Sequence, residues 1–173
     1  IIENKDKMFS TVSNVVNHIV KKPHSLGLIG VKPLFPSIEY GYFETSKINS
    51  NIFEVKNFFE KPTLAKAKKY INKHYLWNAG IFVLSSNFYL DFIATDKRFK
   101  NNLNLCWHNK TSDLNFYRPD HKFFKNLNKI SFDYYFVEKL KKLKIPIFSS
   151  ILYSNWNDLG SWSAIEKNIK LSN

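Results

Sequence analysis

The run Ser25-Leu26-Gly27-Leu28-Ile29-Gly30-Val31 constrains the fold more than any other stretch of this chain. It is apolar or glycine at every position after Ser25, so as a strand it has no face to offer to water. Such a strand must be buried within a sheet that carries helices. The neighbouring segments supply them. Residues 7–21 place Met8, Val12, Val15, Val16 and Ile19 at helical spacing, and Pro23 stops that helix. Pro33 and Pro36 force an extended loop before Tyr40-Gly41-Tyr42-Phe43, which leads into a strand near residues 43–46. Residues 52–60 form a second extended run, closed by Pro62. Thr63 caps a helix over 64–72, with Leu64, Ala67 and Ile71 on one face. Residues 76–84 read as a strand with a polar start, and 87–94 as a helix. Residues 96–128 hold helical pieces and a break at Phe116-Tyr117-Arg118-Pro119-Asp120. Ser131 caps a helix over 132–142 with Phe132, Tyr135, Phe136 and Leu140 inward. A strand or strand pair follows over 145–153, and Ser161 caps a last helix over 162–169.

Helices and strands alternate throughout, with no internal repeat, no Gly/Ser linker and no low-complexity block. The 173 residues therefore read as a single α/β domain, 1–173. No apolar run reaches the roughly 18 residues that span a bilayer, and no signal peptide is recognisable. The single Cys106 excludes an intramolecular disulfide and a Cys-based zinc site, which makes a reducing cytoplasm the default. The chain starts with Ile rather than Met, as a piece of something longer would. Net charge is +12. Most lysines are scattered, and the chain is crowded with Lys, Asn, Ile, Phe and Tyr. Compositional drift accounts for that charge better than a nucleic-acid partner does.

Three short motifs carry chemistry. Phe59-Glu60-Lys61-Pro62 follows a strand and precedes a helix cap. A carboxylate beside an ammonium there can hold a polyol and a phosphate together. Read alone, it is better explained as a surface ion pair at a turn. Trp77-Asn78-Ala79-Gly80 sets an amide, which both donates and accepts, beside a flat aromatic wall. Its plain alternative is a turn Asn before a core strand. Asn155-Trp156-Asn157-Asp158-Leu159-Gly160-Ser161-Trp162 puts Asp158 on a loop ahead of a helix N-terminus, where one carboxylate can hold Mg²⁺. The plain alternative has both Trp as core anchors and Asp158 capping the turn. Asp133 and Glu138 read as solvated or capping. The five His have no ligand-type spacing, and no G-x-S-x-G, P-loop or G-x-G-x-x-G occurs.

These motifs stand in a telling order. Gly30-Val31-Lys32-Pro33 with Tyr40-Gly41-Tyr42 comes first, then Phe59-Glu60-Lys61-Pro62, then Leu76-Trp77-Asn78-Ala79-Gly80-Ile81-Phe82. Ile130-Ser131-Phe132-Asp133-Tyr134 with Glu138-Lys139 and Trp156-Asn157-Asp158-Leu159-Gly160-Ser161-Trp162 complete the series. The series resembles the mannose-1-phosphate guanylyltransferases (GDP-mannose pyrophosphorylases), nearest to the bacterial type often fused to a mannose-6-phosphate isomerase domain. The resemblance spans nearly the whole chain. It implies a partial three-layer α/β/α nucleotide-diphospho-sugar transferase fold (Rossmann-like), lacking its N-terminal nucleotide-binding part. It further implies conversion of GTP and mannose 1-phosphate to GDP-mannose and pyrophosphate, with Mg²⁺. By the resemblance, Glu60 and Lys61 would hold the sugar and its phosphate, Gly41 and Asn78 would line the mannose pocket, and Asp158 would be one of two metal-binding carboxylates.

The chain also departs from that family. The glycine-rich G-x-G-T-R-x-x-P loop, the Lys after it and the second metal carboxylate are not in this sequence. Glu39 stands where the family has glycine, adding bulk and charge beside the expected sugar site. The chain is therefore expected to be inactive alone. Three readings follow. It is half of a split enzyme, with an exposed sheet edge docking a separate N-terminal polypeptide. Or it is a decayed remnant with no activity. Or it is a basic module that binds sugar phosphate or nucleic acid without catalysis.

Overall fold

The computed structural model describes residues 1–160 together with 162, 165 and 166. Its centre is a five-stranded sheet of mixed direction. The strands are β1 (Leu26–Val31), β2 (Tyr42–Lys47), β3 (Phe53–Phe59), β4 (Leu76–Val83) and, after a peripheral hairpin, β7 (Ile147–Leu152). β1 lies in the middle, with β4 antiparallel on one side and β7 parallel on the other. All six residues of β1 are buried, as its sequence demands. The order β1-β4-β2-β3-β7 closes on itself through short ladders. β2 pairs with β4 only at Tyr42↔Trp77 and Phe43↔Leu76, and β3 meets β7 only at Phe53↔Ser149 and Glu54↔Phe148. The remaining outer edge of β4 has no strand partner among the described residues.

Helices cover the sheet on both faces. Helix α1 (Lys5–Lys21) packs Val15 and Ile19 against Ile29, Val31, Ala79, Phe148 and Leu152. Gly27 permits this close approach, since a Cβ there would collide with Val15 Cγ1. The helical pattern included Val16, which instead turns partly outward. On the other face, α3 (Ser86–Thr95) and a helix over residues 133–142 pack Phe88, Phe92, Phe136, Val137 and Leu140 onto Leu26, Leu28, Phe43 and Leu76. That helix opens with a π-helical turn, Asp133–Val137, and continues as α6 (Glu138–Lys142). The sequence reading expected a uniform helix here. Ser131 does cap it, with Oγ accepting from Tyr134 N–H at 3.3 Å. A third cluster sits beneath α2 (Leu64–Asn72), where Ala67 meets Tyr42, Tyr75 and Trp77.

Residues 97–124 hold α4 (Lys97–His108), a hairpin of β5 (Thr111–Asp113) and β6 (Phe116–Arg118), and the single turn α5 (His121–Phe124). The break expected at residues 116–120 is thus partly a strand. No described helix is long and apolar enough to cross a membrane. Ser161 and most of the expected terminal helix lie outside the described residues.

Candidate sugar-phosphate site

The register of β2 assembles the site. Tyr42 pairs with Phe59 of β3 and with Trp77 of β4. One step beyond those pairs, Gly41 comes to lie between Glu60 and Asn78. Asn78 N–H donates to Gly41 O at 2.8 Å. A Cβ on Gly41 would stand 2.6 Å from Glu60 Oε2 and 3.0 Å from Phe58 Cζ. Glycine is therefore needed at this position to seat the Glu60 carboxylate, besides any closeness to a ligand.

Asn78 is buried, and its amide is held at both ends. Nδ2 donates to Asp133 Oδ1 at 2.7 Å, and Oδ1 accepts from Gly80 N–H at 3.2 Å. Asp133, which the sequence presents as a solvated or capping residue, instead accepts from Asn78 at the first residue of the π-helical turn. The signal in the sequence was the Ser131-Phe132-Asp133-Tyr134 motif. Nothing within that motif pointed to Asn78.

Glu60 is half-buried, and its Oε2 atom is buried with no hydrogen-bond partner. Burial and then the charge of Asp133 push its carboxyl up to about 7. Lys61 pulls it partly back, and Glu138 adds to the rise. A carboxyl at that value exchanges its proton near neutrality, and its ionised form seeks donors such as sugar hydroxyls. Lys61 is exposed and adopts φ +42° immediately before Pro62. A side chain in the left-handed region is costly, and a following proline restricts it further. The turn nonetheless keeps Lys61 near enough for its charge to be felt by the Glu60 carboxyl, while its side chain stays exposed.

Asp158 is connected to this pocket at one remove. Tyr40, next to Gly41, wedges its ring edge-on against Trp77 at 4.9 Å and Trp156 at 5.1 Å. Its hydroxyl donates to Asp158 Oδ1 at 3.0 Å. Burial, and then that bond, push the Tyr40 hydroxyl up to about 12, so it remains a donor. Of the two tryptophans read as possible core anchors, Trp156 packs against Tyr40 and Trp77, whereas Trp162 is 86% exposed. Asp158 Oδ1 also accepts from Gly160 N–H at 3.2 Å. Among the described residues, no three His, Cys, Asp or Glu side chains come together as a metal cluster. What is present offers Mg²⁺ one carboxylate, which does not make a site on its own. Glu39 is exposed and donates its N–H to Ser37 Oγ.

A cleft of about 560 Å³ adjoins this arrangement. It opens at the C-terminal ends of β1 and β7 and is lined in part by Trp77, Trp156, Lys7, Lys32 and Asn155. Gly41, Glu60, Asn78 and Asp133 thus form one polar cluster, Lys61 follows Glu60 in the chain, and Asp158 is joined to the cluster through Tyr40.

Comparison with known proteins gives a consistent picture. Residues 4–172 match the family described as nucleotidyl transferase. The chain is 30% identical over 170 residues to a mannose-1-phosphate guanylyltransferase of Escherichia coli, covering 92% of this chain and 35% of that protein. It is 28% identical over 143 residues to the alginate biosynthesis protein AlgA of Pseudomonas aeruginosa, covering 80% of this chain and 29% of that protein. The chain therefore spans about a third of the length of the curated relatives it matches. Two crystal structures share its fold at 22% identity. One, described as a mannose-1-phosphate geranyltransferase from Thermus thermophilus, superposes with a TM-score of 0.78 over 98% of this chain and 47% of that one. The other, a mannose-6-phosphate isomerase from Helicobacter pylori, gives 0.76 over 91% of this chain and 61% of that one.

Proposed function

This chain belongs to the nucleotidyl transferase family, and from that premise we propose that it forms the sugar-phosphate side of a mannose-1-phosphate guanylyltransferase site, as the C-terminal part of such a domain. The reaction joins GTP and mannose 1-phosphate. A phosphate oxygen of the sugar phosphate attacks the α-phosphorus of GTP in line, the bond to pyrophosphate breaks, and GDP-mannose results. Catalysis of this kind consists mainly of positioning and charge neutralisation.

The observation that carries the reading is the convergence of Gly41, Glu60 and Asn78 through the pairing of β2 with β3 and β4, with Asp133 joining Asn78 from the helix over residues 133–142. Glu60 and Asn78 offer acceptors and a donor to sugar hydroxyls, and Lys61 offers a point charge to the phosphate. The nucleotide phosphates need donors that these 173 residues do not include, since no glycine-rich phosphate loop occurs in them. Turnover would accordingly require a further polypeptide segment. Asp158 would contribute one carboxylate to a metal site completed by that segment.

Isothermal titration tests the reading. The chain should bind mannose 1-phosphate, and Lys61→Ala should weaken binding about tenfold, the usual worth of a charge-assisted hydrogen bond. Mg²⁺ alone should bind on the order of millimolar or weaker. Failure to bind mannose 1-phosphate in a folded chain contradicts the sugar-site reading. A tight Mg²⁺ isotherm abolished by Asp158→Asn contradicts the reading of the metal site as incomplete. Salt-sensitive RNA binding in place of sugar-phosphate binding would favour a basic module instead.

A further inference from the structure

The Asn78 amide can stand either way round, presenting donor or acceptor to a given point in the pocket. Here both of its ends are tied. Nδ2 donates to Asp133 Oδ1 at 2.7 Å, a short distance for such a bond, and Oδ1 takes the Gly80 N–H at 3.2 Å. Were the amide reversed, its NH₂ group would face the Gly80 N–H and its oxygen would face the Asp133 carboxylate. Both contacts would be repulsive, and Asn78 is buried.

Asp133 arrives from 55 residues away, on a separate helix. Its approach is fixed by the fold beneath it. The Glu138 N–H closes the π-helical turn onto Asp133 O, and Phe136, Val137 and Leu140 are fully buried under that turn. Single π-helical turns within helices are frequent at functional sites. A carboxylate used only to complement the helix N-terminus would have no need to cross to another strand.

We infer that Asp133 is a positioning residue of this pocket, one that sets the Asn78 amide in a single orientation. A sugar hydroxyl then meets the remaining Nδ2 hydrogen and the remaining Oδ1 lone pair at fixed places. The ligand in this inference rests on the sugar-phosphate reading above, whereas the clamp rests on geometry alone.

The test uses the ¹⁵N-labelled chain and the side-chain amide resonances of Asn78. In Asp133→Ala, the Nδ2 protons should lose the downfield shift and slow exchange of a charge-assisted bond. The Kd for mannose 1-phosphate should rise about tenfold. Asp133→Asn keeps an acceptor oxygen at nearly the same volume and should bring the Kd back to within about threefold of the parent. Its Asn78 resonances should still move, because the acceptor has become neutral. Unchanged Asn78 resonances in Asp133→Ala overturn the inference, as they would for a residue that only caps its helix. If Asp133→Ala does not fold, unchanged resonances in Asp133→Asn overturn it equally. If the parent chain binds no mannose 1-phosphate, the proposed function fails, and the Asn78 resonances still decide the clamp.

Discussion

Glu60 places one carboxylate oxygen against Gly41 with no hydrogen-bond partner, and this has a consequence that depends on pH. The groups that bear on it are Asp133 and Glu138, which repel its charge, and Lys61, which attracts it. Its carboxyl is raised to about 7 in the folded chain, from an ordinary carboxylate value when unfolded. The protonated form is therefore the one that favours folding. That contribution is complete below the ordinary carboxylate range and is lost as pH rises through about 7. Glu60→Gln is neutral at every pH. It should melt close to the parent at pH 4 and above it at pH 8. With allowance for partial exposure, the gain is about 1 kcal/mol, or about 2–4 °C. A series of thermal melts checks this, and a constant offset between pH 4 and pH 8 would contradict it. The sequence made Glu60, Lys61 and Asn78 visible as polar groups beside strand ends. Asp133 reads from the sequence as solvated or capping, because a carboxylate in the first turn of a helix has a sufficient local explanation. Its contact with Asn78 exists only once the fold brings the two together.

At the scale of elements, the pocket depends on two supports: the register of β2, and the helix over residues 133–142 that carries Asp133. Phe136 anchors that helix, fully buried against Phe88, Phe92 and Phe132. Phe136→Ala should destabilise the chain by about 3–5 kcal/mol, measured by urea unfolding. A cost below about 1 kcal/mol would mean that the helix is not held as described. Most elements were legible because their patterns agree with their burial. Val15 and Ile19 repeat at helical spacing, β1 is apolar throughout, and Pro23 and Pro62 mark boundaries. The hairpin of β5 and β6 was not legible. Its strands are three residues each and fully exposed, so no hydrophobic alternation marks them. The π-helical turn was hidden for a similar reason, since side-chain spacing over five residues does not separate it from an α-helical turn.

At the scale of the whole molecule, a buried strand and its two helical layers bring four distant motifs to one end of the sheet. Gly41, Glu60 and Asn78 meet there, Lys61 flanks them, and Asp158 is tied in through Tyr40. Of the lysines behind the +12 charge, Lys61 stands beside that convergence, and Lys7 and Lys32 line the adjoining cleft. A cationic aromatic surface lies elsewhere, where Lys110 sits over the rings of Trp107 and Tyr117 beyond the end of α4. These two surfaces give opposite answers in one experiment. In a titration of the ¹⁵N-labelled chain with mannose 1-phosphate, the backbone amides of Gly41, Glu60, Lys61 and Asn78 should shift together with one Kd, while those of Trp107, Lys110 and Tyr117 stay in place. Shifts confined to the Trp107–Tyr117 surface, or none at Gly41 and Asn78, would contradict the assignment of the sugar-phosphate site.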